Sequence, residues 1–216
     1  MRTIDLIQSL METERVPEGK KYLLLLDIDD TLLKANNIYI IKQMPDGSET
    51  KVTPDQYAKR SREQDTKDGV KYSYSEFRDP VKVANSIITG TPILRNLKLM
   101  DAHINSGWSI GILTARGLED VVHDSIKQWL MYRDTDKVLH DIGDKIERAL
   151  VHAINDDARV YSGLNDFDKK ANVIRKYAKE FDRVKFIDDD AKNIEAVRNM
   201  CRTEGIKNVI TVTAWR

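Results

Sequence analysis

The sequence predicts an α/β fold of three layers, in which a doubly wound, mostly parallel sheet lies between helices. Short apolar runs alternate with amphipathic stretches, as expected of strands that alternate with helices. Two of these runs, at 22–28 and 108–114, are too short for amphipathic helices and have polar boundaries, which is typical of strands buried on both faces. With 216 residues, of which 41% are apolar, the chain is long enough to bury the core of such a sheet.

The remaining predicted elements follow in alternation. In the predicted helices, apolar residues recur every three or four positions, and Glu119 and Asp120 supply acids to the first turn of one of them. The sequence favours helices within 88–107 and at 118–132, 168–181 and 191–202, and strands at 22–28, 108–114, 184–190 and 208–214. This alternation predicts that the strands run parallel in one sheet.

Two segments interrupt the alternation. Residues 34–90 are polar, and we expect loops, a hairpin and a short helix that form a small cap over the carboxyl edge of the sheet. Residues 133–167 are expected to form an additional helical insert, whose apolar stripe consists of Val138, Leu139, Ile142, Ile146, Leu150 and Val151. The predicted organisation is an N-terminal extension at 1–20, a core at 21–33 and 91–216, and the cap.

Composition gives no support to a nucleic-acid or membrane partner. The 35 basic and 35 acidic residues cancel, so a nucleic-acid partner is possible but not favoured. No apolar span approaches the roughly twenty residues of a membrane helix, and residues 1–21 lack an apolar segment of signal length. We therefore expect a cytoplasmic protein without a membrane anchor.

Three acids, Asp27, Asp29 and Asp30, lie where the first predicted strand ends. Carboxylates this close together repel one another and resist burial, so a folded chain tolerates them best around a cation or at a functional edge. Because side chains alternate along an extended chain, Asp27 and Asp29 lie on one side while Ile28 enters the core. One of two such carboxylates can act as nucleophile and metal ligand, and the other as general acid and general base.

A second acidic cluster, Asp188, Asp189 and Asp190, ends a later predicted strand. The carboxyl ends of parallel strands lie along one edge of the sheet, where ligands bind, so both clusters can meet at one metal ion. Oxygen ligands without nearby histidine or cysteine favour Mg²⁺ over zinc or copper. Either cluster alone could instead cap a helix or lie in a surface turn.

Thr114 ends the strand at 108–114 and precedes Ala115 and Arg116. Its hydroxyl and the amides of the following turn could bind phosphoryl oxygens, as a helix N-terminus does. Arg116 could bind a substrate phosphate, or it could pair with a neighbouring acid such as Asp120.

Lys169 and Lys170 open the predicted helix at 168–181. A lysine there can neutralise a nucleophilic carboxylate and a transferring phosphate as a compact point charge. The residues by themselves leave both lysines as candidates.

Taken together, these motifs resemble those of the haloacid dehalogenase (HAD) superfamily over residues 21–199. The run Asp27-Ile28-Asp29-Asp30-Thr31 is similar to the first motif, Thr114 to the second, and Asp188-Asp189 to the fourth. The third motif is a single lysine. Lys170 is preferred to Lys169 because Lys170, Ile174, Tyr177 and Phe181 resemble the spacing of the superfamily's lysine to the apolar face of its helix. The two inserts match no known pattern.

The resemblance implies a HAD-like Rossmannoid core that acts as a magnesium-dependent phosphomonoester hydrolase. Asp27 would attack phosphorus and form an aspartyl-phosphate, while Asp29 would protonate the leaving group and then activate water. Thr114, Ala115, Arg116 and Lys170 would bind the phosphoryl group of the substrate.

The resemblance also implies the metal ligands. Mg²⁺ would lie among Asp27, Asp29, Asp188 and Asp189, with Asp29 contributing its backbone carbonyl and Asp188 the more direct carboxylate. Asn193 stands where some members of the superfamily have another acid.

Three functions follow as alternatives. The first is hydrolysis of a small phosphorylated metabolite or nucleotide, with residues 34–90 selecting the substrate. The second is removal of a 3′-phosphate from a polynucleotide end, which the basic residues Lys59, Arg60, Arg62 and Lys67 permit and the balanced charge does not favour. The third is a non-catalytic HAD-like binding domain, which has no physical need to keep mutually repelling acids together.

Overall fold

The protein is an α/β structure built on a five-stranded parallel sheet, which confirms the predicted α/β class with parallel strands. The computed structural model describes residues 13–58, 62–132, 142–156 and 164–215.

Within these residues the chain forms strands and helices with the following bounds. The strands are β1 Tyr22–Leu26, β2 Leu33–Lys34, β3 Ile40–Gln43, β4 Glu49–Val52, β5 Lys71–Ser73, β6 Thr91–Pro92, β7 Ser109–Thr114, β8 Ile146–Ala153, β9 Arg183–Asp188 and β10 Val209–Thr213. The helices are α1 Pro54–Ala58, α2 Arg62–Lys67, α3 Pro80–Ile88, α4 Leu94–Asn105, α5 Glu119–Tyr132, α6 Asp166–Glu180 and α7 Ala191–Glu204, with a 3₁₀ turn at Ser75–Arg78.

The main sheet has the strand order β10-β9-β1-β7-β8 and separates two layers of helices. Alternate leucines of β1 enter opposite faces: Leu24 and Leu26 pack in the core with α3, α4 and α5, whereas Leu23 and Leu25 pack with α6 and α7. All four leucines are fully buried. The continuous apolar run of β1 is thus explained by burial on both faces.

The chain reverses its direction across the sheet between β1 and β9. From β1 it continues outward to β7 and β8, and it then returns to β9, on the other side of β1, before reaching β10. Ligands of open α/β sheets bind beside the carboxyl ends of strands at such a switch point. The topology therefore indicates a candidate ligand site at the residues that follow β1 and β9.

The structure corrects the helical prediction for 133–167. Residues Ile146–Ala153 form β8, an edge strand parallel to β7, and do not form a helix. Between the pairs Ile110–Ile146 and Ile112–Val151 the register shifts, so that β8 bulges and the buried residues Ile146 and Leu150 fall four apart, as in a helix. Residues 133–141 and 157–163 of the predicted insert lie outside the described residues.

The segment 34–90 is more structured than the predicted loops, hairpin and short helix. Strands β4, β3 and β5 form an antiparallel sheet, and β2 pairs with β6 where the segment leaves and rejoins the core. Glu76, buried in the 3₁₀ turn, accepts hydrogen bonds from the Tyr39 amide and from the ammonium groups of Lys51 and Lys82. Helix α3 is not part of a separate cap, because it buries apolar residues in the same core as α5.

Among the described helices, none has both the length and the apolar character that crossing a bilayer requires.

Candidate active site

The predicted site residues meet at the carboxyl edge of the main sheet. Asp27 directly follows β1, Thr114 is the last residue of β7 and Asp188 is the last residue of β9. The Asp27 amide donates to the Ile187 carbonyl, which extends the pairing of β1 with β9 up to the site. Three neighbouring strands therefore present their terminal side chains at the switch point of the topology.

A tight turn after β1 sets the directions of the first acids. The Ile28 carbonyl accepts hydrogen bonds from the amides of Thr31, Leu32 and Leu33. Asp30 has a left-handed backbone with φ of 55°, a conformation that aspartate tolerates better than most residues. The turn leaves Asp27 nearly buried and Asp29 partly exposed to solvent.

A buried ion triad joins three of the predicted residues. The Lys170 ammonium lies 2.9 Å from an Asp27 carboxylate oxygen and 2.7 Å from an Asp188 carboxylate oxygen. Asn165 caps the start of helix α6, since its side chain accepts the Asp168 amide, and Lys170 lies on the buried face of this helix. The geometry therefore separates the two candidate lysines in favour of Lys170.

The neighbouring Lys169 lies outside this triad. Its ammonium donates to the Asn155 side chain at 2.5 Å and lies 3.6 Å from Asp166. Both partners are exposed, Asn155 in the loop after β8 and Asp166 in the first turn of α6, and neither contact brings Lys169 to the nucleophile candidate.

The pKa values of the triad follow from burial and mutual charge. Burial raises the pKa of Asp27 well above its ordinary value; Lys170 opposes this rise, and the negative charges of Asp188 and Asp29 add to it. Burial alone would lower the pKa of Lys170, but Asp188 and Asp27 outweigh burial and raise it. One ammonium thus balances two buried carboxylates, which leaves one negative charge when all three groups are ionised.

Three carboxylates of the site could hold a metal ion. One oxygen each from Asp27, Asp188 and Asp189 lie within 4.8 Å of one another. Asp188 is further oriented by the Asn193 side-chain amide, 2.9 Å from both of its oxygens, and by the Asp190 amide. An all-oxygen donor set around an excess negative charge fits a hard divalent cation such as Mg²⁺.

The Asp29 carboxylate does not join that trio of oxygens. Arg116 binds it as a fork: Nε lies 2.8 Å from one carboxylate oxygen and Nη2 lies 2.8 Å from the other. The expected contact of Asp29 with a metal runs through its backbone carbonyl, and that contact stays a prediction.

Arg116 has partners that the sequence did not indicate. Arg116 does pair with an acid, as the alternative to substrate binding expected, but that acid is Asp29, whereas Asp120 forms an ion pair with Arg148. Besides Asp29, the guanidinium of Arg116 contacts the hydroxyl of Ser86 at 2.7 Å. Ser86 was missed, because it lies 30 residues before Arg116 and an isolated serine in a helix carries no motif.

The loop after β7 is held in a fixed shape. The Thr114 hydroxyl accepts the Arg116 amide at 3.3 Å, and the Ala115 carbonyl accepts the Asn155 side-chain amide at 2.5 Å. Thr114 is 1% exposed, whereas Ala115 is exposed. The loop thus places an exposed backbone beside a buried hydroxyl at the carboxyl edge.

No match to this chain was found among protein-family models, curated proteins or solved structures.

Proposed function

We propose that the protein is a Mg²⁺-dependent phosphomonoester hydrolase that works through a phosphorylated Asp27. The observation that carries the proposal is the placement of Asp27, nearly buried at the end of β1, in contact with Lys170 and beside Asp188 and Asp189. A nucleophilic carboxylate next to a cation and a hard-metal site suits attack on a phosphoryl group. The order of the motifs, which resembles that of the HAD superfamily, supports the same reaction.

In the proposed first step, a carboxylate oxygen of Asp27 bonds to phosphorus as the bond from phosphorus to the leaving-group oxygen breaks. Protonated Asp29 gives its proton to that oxygen, so the leaving group departs as a neutral alcohol. In the second step, the Asp29 carboxylate takes a proton from water as the water oxygen bonds to phosphorus. The bond from phosphorus to Asp27 breaks, and inorganic phosphate and the free Asp27 carboxylate result.

The other residues bind and orient the phosphoryl group. Lys170 offsets negative charge at Asp27, and Thr114 and the backbone around Ala115 supply hydrogen-bond donors. Asp27, Asp188 and Asp189 would hold Mg²⁺, which would neutralise charge on the phosphoryl oxygens.

The substrate proposed is a small phosphorylated metabolite or nucleotide. The test is phosphate release with Mg²⁺ or with a chelator, over sugar phosphates, nucleoside monophosphates, a 3′-phosphorylated oligonucleotide and an aryl phosphate. The highest kcat/KM in this panel assigns the substrate class, and preference for the oligonucleotide would replace the small-molecule assignment by action on polynucleotide ends.

The decisive variant is Asp27→Asn, which keeps the shape of the side chain, replaces one carboxylate oxygen by an amide nitrogen and removes the negative charge of the nucleophile. We expect its turnover to fall by at least roughly 1,000-fold, as the loss of a covalent nucleophile does elsewhere. The matched control is Asp182→Asn, because Asp182 binds Lys20 and the Lys21 amide on the surface. Release of phosphate that survives in Asp27→Asn, or no release by folded wild-type protein that binds Mg²⁺, would overturn the proposal.

A further inference from the structure

The guanidinium group of Arg116 is fully enclosed and engaged. The residue is 1% exposed, although arginine is rarely buried without several partners. Its Nε and Nη2 bind the two oxygens of Asp29, and its Nη1 lies 2.7 Å from the Ser86 hydroxyl and 3.4 Å from the Val83 carbonyl. These contacts occupy all three nitrogens, which leaves little of the group to meet a substrate.

The side chain of Asp29, in contrast, is 27% exposed. A carboxylate has about four lone-pair positions, and the fork of Arg116 occupies one on each oxygen. One position on each oxygen therefore stays available for a proton. A forked pair with two parallel hydrogen bonds also fixes the plane of the carboxylate, which a single bond from lysine would not do.

Ser86 connects this pair to helix α3. Its hydroxyl donates to the Val83 carbonyl at 2.7 Å and accepts from Arg116, so both of its hydrogen-bonding functions are used inside the protein. Ser86 is fully buried. The chain of contacts Asp29–Arg116–Ser86 thus joins the turn after β1, the loop after β7 and the last helix of the segment 34–90.

We propose that Arg116 is a positioning residue that holds the acid and base Asp29 in one orientation, with Ser86 of α3 as its anchor. This inference rests on the proposed phosphohydrolase function. It moves Arg116 from the predicted substrate-binding set to a role that acts through Asp29, and it makes α3 part of the catalytic apparatus.

The dependence of the rate on the leaving group distinguishes positioning from substrate binding. In the first step Asp29 gives its proton to the departing oxygen. An alkyl phosphate needs that proton because an alkoxide is a poor leaving group, whereas a nitrophenyl phosphate needs it little. A positioned general acid contributes about 100- to 10,000-fold, and a misplaced group loses a large part of this.

The experiment compares wild type, Arg116→Gln, Arg116→Lys and Ser86→Ala in single-turnover formation of the phosphorylated enzyme, with KM taken from steady-state hydrolysis of the same substrates. We expect Arg116→Gln to lose about 100-fold with an alkyl phosphate and less than about 5-fold with nitrophenyl phosphate, while KM changes little. Arg116→Lys should restore little of this loss, and Ser86→Ala should show the same pattern at roughly 10-fold. The control is Arg198→Gln, an exposed arginine that contacts Thr211. Equal losses for the two substrates, carried by KM, would overturn the inference and return Arg116 to substrate binding.

A second measurement needs no turnover. In thermal unfolding without substrate, Ser86→Ala should lower the unfolding midpoint in the wild-type background. In the Arg116→Gln background its effect should be smaller, because the guanidinium that contacts Ser86 is then missing. Asp29→Asn should behave in the same way. Additive shifts would overturn the proposed linkage even in a protein without phosphatase activity. Failure of the general function would instead be seen as wild-type protein that releases no phosphate while the linkage persists.

Discussion

Replacing Lys170 with methionine removes the ammonium that contacts both Asp27 and Asp188. The two carboxylates are 6% and 0% exposed, and the ammonium lies 2.9 and 2.7 Å from their oxygens. Methionine is also a long, unbranched side chain but carries no charge, so the substitution leaves two carboxylates buried without their shared cation. Removal of one partner from a buried ion pair destabilises a protein by about 3–5 kcal/mol.

For a protein of this size that free energy corresponds to a fall of roughly 6–20 °C in the unfolding midpoint. We would measure it by urea unfolding and by calorimetry, both without divalent cations. Lys169→Met is the matched control, because its ammonium contacts Asn155 and Asp166 near the surface and exposed pairs contribute about 0–1 kcal/mol. A Lys170→Met protein within about 1 kcal/mol of Lys169→Met would refute the argument that one cation holds the two acids together.

The same variant probes the metal site. Mg²⁺ held by Asp27, Asp188 and Asp189 would replace part of the missing positive charge. Titration with Mg²⁺ should therefore raise the unfolding midpoint of Lys170→Met more than that of wild type. An equal rise in both proteins would place the bound cation away from this triad.

Two further predictions concern the core. His103 is buried, with Nδ1 bonded to the Leu99 carbonyl and Nε2 to Lys185, and burial lowers its pKa from 6.5 to about 4. The unfolded chain takes up a proton below pH 6.5 that the folded form accepts only near pH 4, so stability is complete above this window and falls as the pH drops through it. The loss of unfolding free energy attributable to His103 reaches about 3 kcal/mol. We would measure the free energy of unfolding against pH for wild type and for His103→Gln, which should lack this loss. The same pH dependence in both proteins would contradict the assignment to His103. Gly111→Ala should destabilise the protein by about 1–3 kcal/mol in urea unfolding, because an added Cβ would lie 2.7 Å from the Leu150 carbonyl oxygen of β8. A loss well below about 1 kcal/mol would contradict this packing.

The sequence predicted those elements whose pattern is local and regular. The leucines of β1 form one apolar run because both faces of the strand are buried, and the helices α5, α6 and α7 begin and end within two residues of the predicted bounds. Edge strand β8 was missed for a physical reason. Residues 147–149 are exposed in its bulge, so Ile146 and Leu150 fall at helical spacing although they belong to a strand.

The candidate site was predictable to the extent that it follows strand ends. Asp27, Thr114 and Asp188 each end or follow a buried strand, and parallel strands bring such ends to one edge. The partner of Arg116 was not predictable in this way. Asp29 lies 87 residues away, and neither periodicity nor motif spacing states which of the many acids an arginine will meet.

The burial of their acidic partners explains why the side chains of Arg116 and Lys170 have different effects on the site. Arg116 contacts Asp29, whose side chain is 27% exposed, so that pair can be solvated in part, and the effect proposed for it is on orientation. Lys170 must balance two carboxylates that solvent hardly reaches, and one negative charge remains when all three groups are ionised. Desolvation makes such an uncompensated charge unfavourable, and the raised pKa of Asp27 is a direct expression of it. A divalent cation beside Asp27, Asp188 and Asp189 would compensate this negative charge and would favour the ionised, nucleophilic form of Asp27. Metal binding and activation of the nucleophile would therefore be electrostatically coupled.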